Sequence, residues 1–276
     1  MHESKLENNK YFKLKKNNSV SESSLPLFLI LACEKLKRIA FFTNNTKSMI
    51  DLKREIQSFG SNIEVLTFPD FDCDFFSNIS PTKEILSERI KTLYKILFPK
   101  NKKIIFIGSY SCLISQTILR EDLENKKITL KKKCSKSFEE IKDFLKNNMY
   151  ERVDFVRTKG EFSIRGDIID IFSPNNNDPA RILFDFENIE SISFFDIESQ
   201  KSKNKINSYD LFPASEIIFN DNSIKNFRES FRKIGFTDRN EYYKSISNNI
   251  FLPGRDQFYP ILYKKYDSII SFLNNY

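Results

Sequence analysis

The sequence predicts an α/β chain in which a parallel-sheet domain precedes an α+β domain built on a mostly antiparallel sheet. Three observations predict it. Short apolar runs at 38–43, 63–68 and 103–108 alternate with helical periodicity at 46–59 and 82–97, the strand–helix alternation that a parallel sheet requires. Downstream, segments 152–157, 162–172, 180–186 and 189–197 read as strands, with only one helical stretch before them. The length of 276 residues allows two or three modest domains, each with its own core.

The elements follow in order. Residues 17–24 are polar, Asn/Ser-rich and free of glycine, and a short apolar run at 25–33 succeeds them. A third helix is expected over 109–120. At 121–133 the runs Glu124-Asn125-Lys126-Lys127 and Lys131-Lys132-Lys133 interrupt the apolar pattern, which predicts a hinge. Ser137 and Glu140 then have capping-box spacing before a helix reaching about Lys146. The polar stretch 201–207 predicts a loop, 223–233 a helix, and the remainder is an aromatic-rich tail.

The run 160–172, Gly-Glu-Phe-Ser-Ile-Arg-Gly-Asp-Ile-Ile-Asp-Ile-Phe, carries the most information about function. Read as one strand, it turns Phe162, Ile164, Ile168 and Phe172 to one face and Ser163, Arg165, Asp167, Ile169 and Ile171 to the other. Arg165 therefore leaves the core. Gly166 marks either a bulge or a place where another backbone approaches closely. After the turn signal at 173–179, residues 180–186 return as the second arm of a hairpin, with Ile182, Phe184 and Phe186 opposite Arg181, Leu183 and Asp185. Arg165 and Arg181 then share an exposed face, an anchor pair for a partner's carboxylates or carbonyls.

Composition removes several classes of function. Cys33, Cys73, Cys112 and Cys134 are far apart and His2 is the only histidine, so a zinc site or a Cys/His or Ser/His/Asp arrangement lacks its parts. Sparse thiols predict a reduced, cytoplasmic setting, and no apolar stretch reaches the length of a membrane span. Asp70, Asp72 and Asp74, interleaved with Phe68, Phe71, Phe75 and Phe76, read as an aromatic-packed loop rather than a metal site. The net charge of +7 divides as +6 over 1–130, −1 over 131–215 and +2 over 216–276, so the arginine-bearing sheet is not basic. Non-specific contact with DNA is expected, if anywhere, of the first segment, where Lys10, Lys13, Lys15 and Lys16 precede the core. The parallel sheet is of the kind found in nucleotide-driven motors, yet no Gly-rich loop with its Lys and Ser/Thr exists, since the first glycine is Gly60.

The run 160–172 resembles the segment shared by the excinuclease protein UvrB and the transcription-repair coupling factor. With it come Arg-Ile-Leu-Phe at 181–184, Ile-Glu-Ser-Ile at 189–192 and Phe-Asp-Ile-Glu-Ser-Gln at 195–200. The coupling factor is also similar at Phe75-Phe76-Ser77, at Ser80-Pro81, at the Ser87-x-Arg89-x-x-x-Leu93 pattern and from Leu252-Pro253-Gly254 to Tyr263. The similarity covers roughly 25–276. UvrB resembles a working ATPase with its phosphate loop, so the missing loop favours the coupling factor's N-terminal module, whose motor-like domain is degenerate.

The resemblance implies a flexible segment at 1–24 and a degenerate ATPase-like α/β domain at 25–127. An inserted α+β domain that meets the excinuclease protein UvrA follows at 128–213, and a truncated return segment at 214–276 completes the first domain. It implies a non-catalytic adaptor for nucleotide-excision repair, with no cofactor in this chain. In the family, ATP and magnesium serve a DNA translocase, and RNA polymerase is bound, through domains for which 276 residues leave no room; a fragment, a truncated gene or one piece of a split protein is expected. The family's interaction residues correspond to Arg165 and Arg181, beside Gly166, and to a Phe where this chain has Asp185. Either the partner compensates for that carboxylate, or a bulge brings Phe184 or Phe186 into the aromatic's place. An ATP-dependent relative of UvrB and a general DNA-binding module are the alternatives.

Overall fold

One fully buried strand organises the first half of the chain. The computed structural model describes residues 21–60, 62–71, 73, 79–132, 136–235, 240–250, 252–274 and 276. Helix α1 (Leu25–Leu36), strand β1 (Arg38–Thr43), helix α2 (Thr46–Ser58), strand β2 (Glu64–Phe68), helix α3 (Lys83–Leu97) and strand β3 (Ile104–Ser109) form a parallel sheet in the order β1-β3-β2 with helices on both faces. Pro26 in the first turn starts α1, and the Asn45 side chain caps α2 by accepting from the Ser48 N–H at 2.9 Å. Central β3 is buried along its whole length. Its Ile105 and Ile107 join Cys33, Met49 and Ile56 on one face, whereas Ile104 and Phe106 join Ile90, Leu93 and Tyr94 on the other. Strands buried on both sides read as continuous apolar runs, which is why this domain is visible in the sequence.

Helix α4 (Tyr110–Ile114), strand β4 (Gln116–Thr117) and helix α5 (Arg120–Glu124) replace the single helix expected over 109–120. A tertiary contact overrides the local pattern: Gln116 and Thr117 pair with Ser268 and Asp267 from the far end of the chain. The expected hinge likewise contains structure. It holds nearly all of α5 and the whole of β5 (Ile128–Lys131), which crosses into the second domain.

Helix α6 (Phe138–Asn147) begins with the expected capping box, Ser137 Oγ accepting from the Glu140 N–H and Glu140 Oε2 from the Ser137 N–H. Strands β6 (Glu151–Arg152), β7 (Glu161–Arg165), β8 (Ile168–Ile171), β9 (Ala180–Asp185), β10 (Asn188–Phe195) and β11 (Ser202–Ile206) make a six-stranded sheet in the order β11-β10-β9-β8-β7-β6. All its pairs are antiparallel except β6 with β7. Ile141 and Leu145 of α6 pack on Phe162, Ile169, Ile171, Ile182 and Phe184. Each such side chain contributes roughly 1.5–3 kcal/mol by leaving water. Strand β11 occupies the expected loop 201–207; its exposed Lys203 and Lys205 suit a sheet edge and hide the alternation by which strands are recognised.

Strand β12 (Ser208–Leu211) returns along β5, Leu211 opposite Ile128, and leads into helices α7 (Asp221–Lys233) and α8 (Glu241–Ser247). Strand β13 (Asp267–Ser268) and helix α9 (Ile269–Phe272) end on the first domain, where Ile218, Ile269 and Phe272 fill the α3 side of its core. Arg89, wholly buried on α3, lies between the rings of Phe68 and Phe71, 4.0 and 3.9 Å from their centroids, and pairs with Glu216 of the returning chain. The domains are also tied by Lys83, 2.7 Å from Glu151 and 2.8 Å from Glu161. Burial acts to raise the Glu161 carboxyl, but Lys83 and the N–H groups of Thr158 and Arg157 outweigh it and hold the group below the usual carboxylate range.

Residues 1–20, with His2 and the Lys10–Lys16 group, the Phe75-Phe76-Ser77 motif, Asp72, Asp74 and Cys134 lie outside the described residues. Among those described, no helix is long and apolar enough to cross a membrane, and no group of His, Cys, Asp and Glu is arranged to hold a metal.

Candidate partner-binding surface

The run 160–172 is two strands, not one. Gly166 and Asp167 form a two-residue turn between Arg165 and Ile168, and Gly166 has φ +58, the positive value that a II′-type hairpin turn places at its first central residue. A Cβ there would meet nothing within 4 Å, so the glycine serves the backbone conformation and neither a bulge nor a close approach. The turn also exchanges the faces beyond it. Ile169 and Ile171 are buried in the core, while Ile168 and Asp170 lie on the face of Arg165.

Register places the rows across this face. Arg165 stands opposite Ile168, which stands opposite Leu183; Ser163, Asp170, Arg181 and Ser193 form the next row. Arg165 and Arg181 thus share one face, and Asp170 lies between them. Arg181 holds the Asp170 carboxylate with Nε at 2.8 Å from Oδ1 and Nη2 at 2.9 Å from Oδ2, while Arg165 Nη2 reaches Oδ2 at 2.5 Å. The Asp170 side chain is 1% exposed, that of Arg181 17% and that of Arg165 43%. A buried carboxylate between two guanidinium groups fixes both in place. Asp170, through its hydrogen bond, raises the Arg181 guanidinium above its already high value.

The two arginines are not equivalent. Arg181 also donates from Nη1 to Gln200 O and Ser202 Oγ, at 3.1 and 3.2 Å, and packs over Phe195. Most of its donors are therefore engaged within the domain, contrary to the exposed position expected from strand parity. Arg165 makes one such bond, lies 5.7 Å from the centroid of the half-exposed Phe155 ring and presents its remaining donors outward.

The aromatic choice is decided by burial. Phe184 is 3% exposed and packs edge-on against Phe138, so it cannot reach a partner. Phe186 stands at the tip of the β9–β10 hairpin with φ +52 and is 91% exposed. A bulky residue in the left-handed region is strained, a condition that concentrates at functional sites. Asp185 is exposed beside it, and the β10 register slips between Ile189 and Ser191, as a bulge does. The Phe184 N–H donates to Asp167 O at 2.9 Å, which sets the two hairpin tips side by side. Single-strand parity does not point to Asp170 or Phe155 as members of this site. Reading Gly166-Asp167 as a hairpin turn sets Asp170 opposite Arg181.

This surface lies within residues 128–217, which match the family model of the UvrB interaction domain. The class is thus a chain with one segment similar to the UvrB interaction domain. Over a longer span the chain is similar to transcription-repair coupling factors: 29% identical over 84% of its length to that of Rickettsia bellii, and 27% over 84% to that of Haemophilus influenzae. Against that of Staphylococcus aureus it is 33% identical over 78%. It spans about a fifth of the length of these curated relatives, 21%, 20% and 18% in the same order. The chain resembles the N-terminal module of the transcription-repair coupling factor, as its motifs imply.

Proposed function

We propose that this chain is a non-catalytic adaptor of transcription-coupled nucleotide-excision repair, and that its second domain recruits the excinuclease protein UvrA to stalled transcription complexes. The observation that carries the proposal is the Arg165–Asp170–Arg181 group, which holds a half-exposed guanidinium at the same end of the sheet as the exposed Phe186, inside the matched interaction domain. Such a surface binds without chemistry. Arg165 offers a fork to a carboxylate or carbonyl, Phe186 supplies apolar area, and the buried Asp170 keeps Arg165 oriented before the partner arrives, so little side-chain freedom is lost on binding. The first domain acts in this reading as a rigid mount without nucleotide hydrolysis, and polymerase binding and translocation belong to other domains of the family.

Titration of purified UvrA against the parent chain, Arg165→Ala and Phe186→Ala tests it. A hot-spot side chain costs roughly 2 kcal/mol or more, about thirtyfold in Kd, so each variant is expected to bind at least that much more weakly with an unchanged circular dichroism spectrum. Parent-like affinity in both variants overturns the proposal. So does the failure of the parent chain to bind.

A further inference from the structure

The hairpin tips carry a charge pattern that the arginine anchor does not explain. Asp167, Asp185, Glu187 and Glu190 are all exposed around Phe186, at the same end of the sheet as Arg165. None of the four is in an ion pair among the described residues, although acids elsewhere on this domain are: Asp196 pairs with Lys203, and Glu161 with Lys83. Phe186, at 91%, is the most exposed large apolar side chain described, and its two chain neighbours are carboxylates. Any partner that covers the ring must therefore strip water from Asp185 and Glu187 as well. A carboxylate desolvated without a counter-charge costs several kcal/mol, which would cancel what burying one phenylalanine contributes.

From this we infer that the partner's patch is bipolar: an apolar hollow for Phe186 rimmed by lysine or arginine side chains that meet Asp185 and Glu187, with a carboxylate set to one side for Arg165. The inference rests on the recruitment reading, which names UvrA as the occupant, and adds the chemistry of its contact surface. Asp185 and Glu187 then act as specificity determinants. Against a neutral or acidic rim the same tip repels, whereas against a basic rim it attracts at a distance and speeds encounter. The carboxylate at 185, where the family pattern has an aromatic, becomes half of an ion pair and Phe186 takes over the apolar contact.

The test is the association of purified UvrA with the full chain, measured at about 50 and 300 mM salt, for the parent, the double variant Asp185→Lys/Glu187→Lys and the neutral Asp185→Asn/Glu187→Gln. Both positions are exposed in a hairpin, and the neutral pair guards against a local folding defect. The charge reversal is expected to weaken binding at least tenfold at the lower salt, mostly through slower association, and the neutral pair to fall between it and the parent. At the higher salt the three should converge. Reversal that leaves affinity unchanged or improves it, while the parent binds and Arg165→Ala does not, overturns the bipolar patch and leaves recruitment standing. A parent that fails to bind UvrA overturns both.

Discussion

Replacing Arg181 by alanine should unfold the second domain far more readily than replacing Arg165, although both residues touch the same carboxylate. Asp170 is fully buried and receives three charge-assisted hydrogen bonds, two from Arg181 at 2.8 and 2.9 Å and one from Arg165 at 2.5 Å. Removing one partner of a buried ion pair costs about 3–5 kcal/mol because the remaining charge is left uncompensated. Arg165 still holds one oxygen in the Arg181→Ala variant, so about 3 kcal/mol, the lower end of that range, is expected. The variant also loses the bonds from Nη1 to Gln200 and Ser202 that fasten β11's turn to the sheet. Arg165→Ala leaves the two-point Arg181 contact intact and removes a half-exposed, screened partner, at about 1 kcal/mol. Thermal denaturation by circular dichroism should thus show Arg181→Ala lower in Tm by roughly 10 °C or more, since a small domain shifts about 4–8 °C per kcal/mol. Native-state hydrogen exchange at the Ile169 and Ile182 amides, in the strands that the pair crosses, should locate the loss in this sheet. The double variant Asp170→Leu/Arg181→Met should recover part of it, as exchanging both partners for apolar groups strands no charge. Equal stabilities for the two arginine variants, within about 0.5 kcal/mol, the usual scatter of a surface substitution, would refute the unequal roles assigned here.

Phe186→Gly should bind UvrA at least thirtyfold more weakly yet melt no lower than the parent, because glycine relieves the φ of +52; a melting loss comparable to a core variant would contradict the exposed-tip geometry. Gly166→Val should destabilise the second domain by about 1–2 kcal/mol in urea titrations, since a β-branched residue resists positive φ, and Gly166→Ala should cost less than Gly166→Val; parent-like stability of the valine variant would contradict the turn. The Glu161 carboxyl, held below its unfolded value, lends stability that is present above about pH 4.5 and lost as the pH falls through the lower folded value, so Lys83→Met should flatten the acid limb of a stability–pH profile; an unchanged limb argues against the Lys83–Glu161 tie. Finally, ATP with magnesium should leave the melting temperature where it is, and a reproducible nucleotide-dependent rise would restore the ATP-dependent alternative.

What the sequence disclosed depended on how strongly burial imposed a pattern. The parallel sheet was legible because β3 is apolar at nearly every position, and α6 because Ser137 and Glu140 advertise its start. Elements imposed by distant chain were not. Residues 116–117 are strand only because 267–268 lie beside them, and β11 is a strand with no buried face to mark it. At the candidate site, chemistry was easier to see than geometry. Arg165 and Arg181 stood out as charges in apolar strands, and their shared face survived even though the turn at Gly166 reversed the parity beyond it. That same misread turn concealed Asp170, and with it the reason why Arg181 is fastened and Arg165 is offered.

The crossing between the domains is a closed gate in the chain's path. Outgoing Ile128 and incoming Leu211 are paired residues of one two-stranded ribbon, so the entire interaction domain hangs from a pair of adjacent backbone strands. Its removal leaves two neighbouring ends, a gap that a short turn spans with little loop-closure entropy. The mount and its passenger are thereby separable in principle at the level of the gene: a segment with neighbouring ends can be gained, lost or exchanged in one recombination event without rethreading the sheet that carries it. The charge pattern at the hairpin tips can then change with its partner while Arg89 and Glu216 keep the mount the same.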